Sequence, residues 1–330
     1  MFSTRPFWQG QNGLDFLLLQ RYGFLRRSFS NARLLFVTPT QLKCPLAGSA
    51  TIQIPRRLLP SDVREIRRWC ERNKISIYYS LLDCVAGIIE HLDGLKICEI
   101  SDVWHLRAEA FAKYGYAHGS DREAELRSMR SYDLILALNS QEVEYLHQNG
   151  VEHARQFLPP MRFEEVQSGI KMHQTGMISA TNKANIDALL QLPPLLKTID
   201  SFLLAGSICH TSEAQRLPRD TVMPMGTVQD PRDFYKEVET VVSPVRFGAG
   251  LKMKVLEAVA RGKPVLASEH SVDGYPEGIR QVVSVGGDIS AWSVGELQRS
   301  KEMHRADLQR DYIECFFSDA ALSASLSRLI

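Results

Sequence analysis

Short apolar runs alternate along the whole chain with longer segments of helical periodicity. In the first half, the apolar runs predict strands at residues 34–38, 75–79, 96–100 and 134–138. In the second half, they predict strands at residues 177–180, 201–205, 221–225, 241–242, 265–267 and 281–285. Strands that alternate with helices predict an α/β protein with parallel, doubly wound sheets.

The chain of 330 residues is long for one hydrophobic core, so two domains are expected. The segment Phe157-Leu158-Pro159-Pro160 closes the first half, and residues 161–171 look like a connection between domains. We therefore predict one Rossmann-like domain over residues 1–165 and a second over residues 166–330. The final helix could pack back on the first domain.

The most informative stretch runs from Val241 to Ser268 and reads as strand, glycine-bearing loop, helix and strand. Glycines allow close approach of the backbone to an anion, and the first turn of a helix offers free N–H groups. Lys252 is expected in that first turn, where an anionic ligand would offset the unfavourable position of a cation. The alternative is an ordinary tight turn with a solvated lysine.

The same stretch resembles the donor-site signature of group 1 glycosyltransferases of the GT-B fold, which are related to glycosyltransferase family 4. The matching residues keep the order and spacing of that signature: Pro244, Gly248, Gly250, Lys252, Lys254, Glu257, Ala258, Ala260, Gly262, Pro264 and Val265. The likeness extends over the rest of the second half, at Asn185, Ala188, Leu189, Gly206, Gly226, Val228 and Asp230, and it is weaker in the first half. In the first half it rests on a glycine loop, Asp102 with Arg107, and the run from Tyr132 to Glu142.

The resemblance implies two Rossmann-like domains that face a cleft and a retaining transfer of sugar from a nucleotide sugar of UDP or GDP type, without metal or cofactor. It assigns the donor diphosphate to Gly248, Ala249, Gly250, Leu251, Lys252 and Lys183. Glu257 would bind the ribose, although an i,i+4 pair with Arg261 is the alternative. Gly226 and Val228 would lie beside the base, or form only a turn. Many family members carry a glutamate where this chain has Ala249, which leaves the sugar unidentified.

For the first half, the resemblance implies a cleft-facing glycine loop at Gly10, Gln11, Asn12 and Gly13. Only Met1 to Thr4 precede this loop, so the first strand is expected to be short or missing. Either the chain is truncated at its start, or the first strand is very short. Asp102, His105 and Arg107 follow a predicted strand and are candidates for the catalytic group on the acceptor side. The alternatives are a helix cap at Asp102 and a surface position for His105, with His118 as another candidate base.

Charge is uneven along the chain, because residues 1–80 hold 13 Lys and Arg against 4 Asp and Glu. The basic residues between 21 and 74 could contact an anionic membrane surface or a phosphorylated, lipid-linked acceptor, or form a solvated helical face. Nucleic acid is a poor alternative without a binding motif. Scattered cysteines, no zinc spacing and no signal peptide favour a cytoplasmic protein, and the basic region adds a peripheral position at the inner membrane face as an expectation.

Three functions stay open at this stage. The first is a glycosyltransferase that acts on a glycan or lipid-linked acceptor, and the second is a catalytically silent nucleotide-sugar-binding or assembly subunit. The third is a nucleotide-sugar epimerase of the same architecture. A nicotinamide dehydrogenase is disfavoured because no G-x-G-x-x-G follows a strand.

Overall fold

A computed structural model describes residues 1–3, 13–38, 43–46, 49–53, 60–81, 86–116, 119–167 and 173–329. Its contacts divide the chain into two compact units. The first unit comprises Met1–His105, Ser120–Pro160 and a segment that begins at Ser325. The second unit comprises Leu106–Gly119 and Met161–Ala324.

The described part of the first unit forms a parallel sheet in the order β3-β2-β1-β4-β5-β6-β7. Its strands are β1 (Phe2–Ser3), β2 (Leu34–Thr38), β3 (Ser49–Gln53), β4 (Ile77–Leu81), β5 (Leu95–Ile100), β6 (Leu134–Ala137) and β7 (Ala154–Gln156). The central strand β1 comprises Phe2 and Ser3 among the described residues, and the predicted short first strand stays a prediction because residues 4–12 lie outside them. Strands β3 and β7 were not predicted, because SATIQ and ARQ lack a continuous apolar run.

The helices described in the first half of the chain are α1 (Gly13–Ser28), α2 (Pro60–Arg72), α3 (Ala86–Ile89), α4 (Trp104–Ala112), α5 (Arg122–Arg130) and α6 (Ser140–Gln148). From Leu106 onward, α4 belongs to the second unit. The side chain of Asn139 accepts a hydrogen bond from the N–H of Gln141 at 2.8 Å and thereby caps α6. Polar caps of this kind satisfy N–H groups that have no partner inside the helix.

The described part of the second unit forms another parallel sheet, in the order β10-β9-β8-β11-β12-β13. Its strands are β8 (His173–Ile178), β9 (Phe202–Ala205), β10 (Val222–Gly226), β11 (Val238–Ser243), β12 (Val265–Ala267) and β13 (Ser284–Val285). The predicted strand at 281–285 is wrong in its first part. Gly278, in the left-handed conformation, precedes a helical turn there. The buried apolar residues of this turn give the same sequence pattern as a buried strand.

The helices of the second unit include two that carry the candidate site, α7 (Lys183–Leu190) and α11 (Met253–Ala260). The others are α8 (Pro193–Leu196), α9 (Ser212–Gln215), α10 (Pro231–Glu237), α12 (Ile279–Val282), α13 (Val294–Met303), α14 (Ala306–Phe317) and α15 (Asp319–Leu329). Among the described residues, no helix has both the length and the apolar character needed to cross a membrane.

Arg21 is buried in the first unit, although the sequence placed it on a basic surface. Its side chain is fully enclosed, and its Nε and Nη2 each donate to a carboxylate oxygen of Glu99 at 2.8 Å. Nη2 also donates to the carbonyl of Leu158 at 2.7 Å, and the hydroxyl of Tyr79 donates to Glu99. Arg21 therefore belongs to a buried ion pair, and its predicted contribution to a surface charge is wrong.

Candidate functional site

The site lies at the carboxyl edge of the second sheet, where the chain direction across the sheet reverses. Strands β8 and β11 are neighbours in that sheet, with Gly176 opposite Val241. From β8 the chain builds outward through β9 to β10, and from β11 it builds through β12 to β13. Ligands of open α/β sheets bind at such a switch point, outside the carboxyl ends of the strands. The predicted glycine loop follows β11 at this point.

Two buried serine hydroxyls hold the start of the glycine loop. The hydroxyl of Ser271 donates to the carbonyl of Ser243 at 2.6 Å, and that of Ser268 donates to the carbonyl of Val245. The two hydroxyls also bond each other at 2.9 Å. Because all of these groups are buried, loss of either hydroxyl would remove a hydrogen bond that fixes the start of the loop.

An ion pair and an aromatic cluster hold the middle of the loop. The guanidinium of Arg246 makes two hydrogen bonds to the carboxylate of Asp187 on α7, at 2.9 and 2.6 Å. The ring of Phe247 stacks on Tyr114 with centroids 4.1 Å apart and meets Phe111 edge-on at 5.3 Å. Gly248 follows with φ of 124°, in the region that favours glycine. The loop conformation is therefore set before any ligand binds.

Lys252 does not lie in the first turn of α11, as the sequence suggested, but is the N-cap residue that precedes Met253. Its Nζ donates to the carbonyls of Gly250 at 2.9 Å and Ala249 at 3.3 Å. The hydroxyl of buried Tyr275 donates to the carbonyl of Lys252 at 2.9 Å. The ammonium of Lys252 thus folds back on the glycine loop. The sequence had instead suggested that it helps this loop to bind the diphosphate.

Lys254 is the cation that the sequence interpretation missed, although the residue stood in the motif. Its Nζ donates to the hydroxyl of Ser179, after β8, and to the amide oxygen of Asn185, on α7, both at 2.7 Å. Both acceptors are neutral. Burial, and to a smaller extent the charge of Lys252, lower the pKa of Lys254 to about 7, against an opposing effect of Glu257. The amine lies at the switch point, and no carboxylate among the described residues forms a hydrogen bond with it.

Glu257 lies one turn after Lys254 on α11 and accepts a hydrogen bond from the hydroxyl of buried Tyr235 at 3.2 Å. Burial raises the pKa of this carboxyl to about 7, while Tyr235, Arg261 and Lys254 act in the opposite direction. Arg261 forms its ion pair with Glu164 at 2.7 Å, so the alternative of an i,i+4 pair with Glu257 is not favoured. The predicted ribose role of Glu257 is untested and stays a prediction.

The other donor candidates are spread along the same sheet edge. Lys183 is exposed at the start of α7, and its ammonium lies 5.5 Å from the ring centroid of Tyr116. Gly226 ends β10 with φ of 78°, and its carbonyl accepts from the N–H of Gly206 at 2.7 Å. Val228 follows in the turn before α10. Leu251 is buried beside Lys252.

His105 is neither a surface residue nor free for an acceptor. It is 2% exposed, its Nδ1 lies 2.6 Å from a carboxylate oxygen of Glu125, and its Nε2 lies 2.7 Å from the hydroxyl of Tyr145. Glu125 also accepts from the N–H groups of Trp104 and His105, at 2.7 and 3.0 Å. Glu125 thus caps α4. One of the alternatives from the sequence had assigned this capping role to Asp102. The geometry gives His105 a structural part, and its proposed catalytic part stays a prediction.

The remaining first-half candidates are less informative. Asp102 is half-buried and accepts from the hydroxyl of Ser101 at 3.2 Å. The guanidinium of Arg107 lies 5.3 Å from the ring centroid of Phe111. Gly10, Gln11 and Asn12 lie outside the described residues, as does His118, whereas Gly13 is the first residue of α1. Among the residues that the structure describes, no cluster of three His, Cys, Asp or Glu side chains could hold a metal.

The part of the chain that contains this site resembles a known family. Residues 172–294 match the family model described as Glycosyl transferases group 1, and this match confirms the predicted group 1 glycosyltransferase resemblance. The matched range contains the glycine loop, Lys254 and Glu257. No curated protein matches the chain.

Solved structures extend the likeness to the first half. Sucrose-phosphate synthase from Thermosynechococcus elongatus matches with a TM-score of 0.67 and 14% identity over 96% of this chain and 92% of its own. Anabaena HepE in complex with UDP matches with a TM-score of 0.65 and 12% identity over 99% and 98%. TarM matches with a TM-score of 0.62 and 15% identity over 81% of this chain. The match covers only 58% of the longer TarM chain. The predicted fold, two Rossmann-like halves of the GT-B type, is thereby confirmed.

Proposed function

We propose that this protein transfers a sugar from a nucleoside-diphosphate sugar to a glycan or lipid-linked acceptor. The observation that carries the proposal is Lys254, a half-buried ammonium at the switch point of the second sheet whose hydrogen-bond partners in the described part of the chain are neutral oxygens. Burial of a cation without a countercharge is costly, so an anionic ligand would stabilise it. The family match and the UDP complex of HepE support a nucleotide as that ligand.

The chemistry of transfer requires stabilisation of a diphosphate leaving group. In this proposal, the backbone N–H groups of Gly250 and Leu251 and the start of α11 approach the diphosphate, and Lys254 neutralises its developing charge. Lys252 and Lys183 remain additional candidates for the same anion. The carboxylate of Glu257 accepts from the two ribose hydroxyls, since one carboxylate offers two acceptor oxygens.

We further propose that transfer retains the anomeric configuration and needs no metal, as the family resemblance implies. The nucleotide base would lie beside Gly226 and Val228. Because Ala249 has no carboxylate, backbone amides of the loop would contact the sugar. An NMR assay of the anomeric configuration in the first-formed product tests retention, and inversion would contradict it. Full turnover after treatment with a chelator is the result expected for a metal-independent reaction.

The test of the function is release of UDP or GDP from a panel of nucleotide sugars, with and without mixed glycan and polyprenyl-phosphate acceptors. We expect release that depends on both donor and acceptor and that falls strongly in Lys254→Met. The matched control is Lys236→Met, which removes an exposed lysine paired with Asp233 on α10. Conversion of the donor without any acceptor would identify an epimerase instead.

A binding subunit without catalysis is the second candidate, and the environment of His105 favours it. Both ring nitrogens of this residue are engaged by Glu125 and Tyr145, so it offers no free base to an acceptor. Asp102 remains the candidate for that part. Nucleotide binding without turnover across the acceptor panel is the outcome that would favour this second candidate.

A peripheral contact with the inner membrane face is the remaining proposal. The exposed side of α2 carries Arg64, Arg68 and Arg72, and Lys74 follows in the next turn. Clustered cations of this kind attract anionic lipid surfaces. Binding to phosphatidylglycerol vesicles that weakens as salt rises is expected. Absence of binding at low salt would contradict this contact and leave the transfer proposal intact.

A further inference from the structure

Lys254 and Glu257 form a pair of opposite charge type that is not joined by an ion pair. They lie one turn apart on α11, and the described residues show no salt bridge between them. Lys254 bonds to Ser179 and Asn185, and Glu257 accepts from Tyr235, so the hydrogen-bond partners of the two among the described residues are neutral. Among the described residues, neither group is therefore hydrogen-bonded to a group of opposite charge.

Such surroundings disfavour the charged form of both groups. An isolated ionised group in a low-dielectric environment tends to shift its pKa and become neutral. The pKa of Lys254 falls to about 7 and that of Glu257 rises to about 7, in each case chiefly through burial. Two groups that titrate together behave as one coupled system. Without a ligand, the pair therefore changes charge near neutral pH.

A nucleoside diphosphate would demand one particular charge state of this pair. Its diphosphate favours the ammonium form of Lys254, and its ribose hydroxyls favour the carboxylate form of Glu257. We propose that donor binding moves one proton from the Glu257 carboxyl to the Lys254 amine, through solvent. The O–H bond of the carboxyl breaks, an N–H bond forms on the amine, and total charge is unchanged. This inference rests on the proposed function.

Other titratable groups surround the pair and set its balance. Lys252 repels the Lys254 ammonium from the preceding loop, and Arg261 favours the Glu257 carboxylate from the end of α11. The buried hydroxyls of Tyr235 and Tyr275 have raised pKa values, so they stay protonated in this range. Burial and Lys252 lower the pKa of His270, while Asp273 opposes this effect. His270 is therefore the one neighbour among these that could titrate alongside the pair, and it needs a control.

The consequence is a reversal in the sign of proton exchange with solvent. At about pH 5.5, both groups hold their protons before binding, so binding releases about one proton from Glu257. At about pH 8.5, both have lost them, so binding takes up about one proton on Lys254. Near neutral pH the transfer occurs inside the pair with little net exchange, and affinity is highest there.

Calorimetry with UDP and with GDP tests this inference on the full chain. Each titration is repeated at about pH 5.5, 7 and 8.5 in two non-phosphate buffers of different ionisation enthalpy, which gives the number of protons exchanged. Lys254→Met should abolish the uptake at high pH, and Glu257→Gln should abolish the release at low pH. His270→Asn should leave the reversal in place. Titration of the nucleotide itself is common to all variants and cancels in the differences.

The outcomes separate the two proposals. Nucleotide binding with a proton number of the same sign at both extremes would overturn the proton transfer alone. A reversal that persists unchanged in both Lys254→Met and Glu257→Gln would also overturn it. No binding of either nucleotide at any pH would overturn the proposed function and this inference with it. Circular dichroism of each variant establishes that it is folded before titration.

Discussion

Arg21 in the first unit and Lys254 in the second are two cations removed from water in opposite ways. Arg21 is fully buried, and Glu99 supplies a carboxylate that accepts from it through two hydrogen bonds of 2.8 Å. Lys254 is bonded to a hydroxyl and an amide oxygen, neither of which carries charge. The first cation is neutralised by the fold itself, whereas the second is not.

The difference separates a structural charge from a functional one. In a buried ion pair each charge is compensated by the other, and removal of one partner leaves the other buried without a countercharge. A cation with neutral partners costs stability, and that cost is recovered only when an anion binds. We expect substitutions at the two positions to act on different properties of the protein.

The largest expected effect is on stability, at Arg21. Arg21→Met would leave Glu99 buried without its cation, and we expect the free energy of unfolding to fall by about 3–5 kcal/mol. Urea unfolding followed by circular dichroism measures this change. The double variant Arg21→Met with Glu99→Gln should recover part of the loss. A decrease below about 1 kcal/mol in the single variant would remove the distinction between the two cations.

The next effect is on nucleotide affinity, at Lys254. Lys254→Met removes a charge-assisted hydrogen bond to the diphosphate, so we expect UDP or GDP affinity to fall by about tenfold to a hundredfold. Stability should be unchanged or higher, because the lowered pKa of Lys254 means that its charged form costs stability in the folded state. Lys236→Met is the control and should alter neither property. Equal affinity in Lys254→Met and wild type would show that this lysine does not contact the ligand.

Glu257 should produce a smaller effect that depends on pH. Its carboxyl has a raised pKa, from 4.5 to about 7, so the folded state holds the proton more tightly than the unfolded state. This contribution to stability is full below pH 4.5 and is lost as pH rises toward 7. Relative to wild type, Glu257→Gln should therefore gain thermal stability between those limits. A difference in Tm that is constant from pH 4.5 to 7.5 would show that the carboxyl is not perturbed.

The smallest effect concerns the ion pair that holds the glycine loop. Asp187 is mostly buried and Arg246 is partly exposed, so their mutual coupling should be about 1 kcal/mol. A double-mutant cycle with Asp187→Ala and Arg246→Ala, read from unfolding free energies, measures it. Loss of the pair should also weaken nucleotide binding several-fold, since it helps to fix the loop. A coupling energy near zero would mean that Phe247 and the serine hydroxyls hold the loop without it.

Local pattern was enough to predict most of the strands and the loop after β11, but not β3 and β7, which lack a continuous apolar run. It was not enough for Lys254, because its hydrogen-bond partners Ser179 and Asn185 lie 75 and 69 positions away in the chain. The same limit explains Glu257, whose partner Tyr235 comes from a different helix, and Arg21, whose carboxylate lies 78 positions away. Whether a polar residue is structural or functional depends on such partners, which no local pattern contains.

A structure of the protein with UDP or GDP bound is the most direct measurement of the central claim. We expect the diphosphate beside the loop from Gly248 to Lys252, with a phosphate oxygen within hydrogen-bond distance of Lys254 Nζ and the ribose hydroxyls at Glu257. A nucleotide bound away from the switch point of the second sheet would contradict the claim. So would a bound diphosphate that leaves Lys254 bonded only to Ser179 and Asn185.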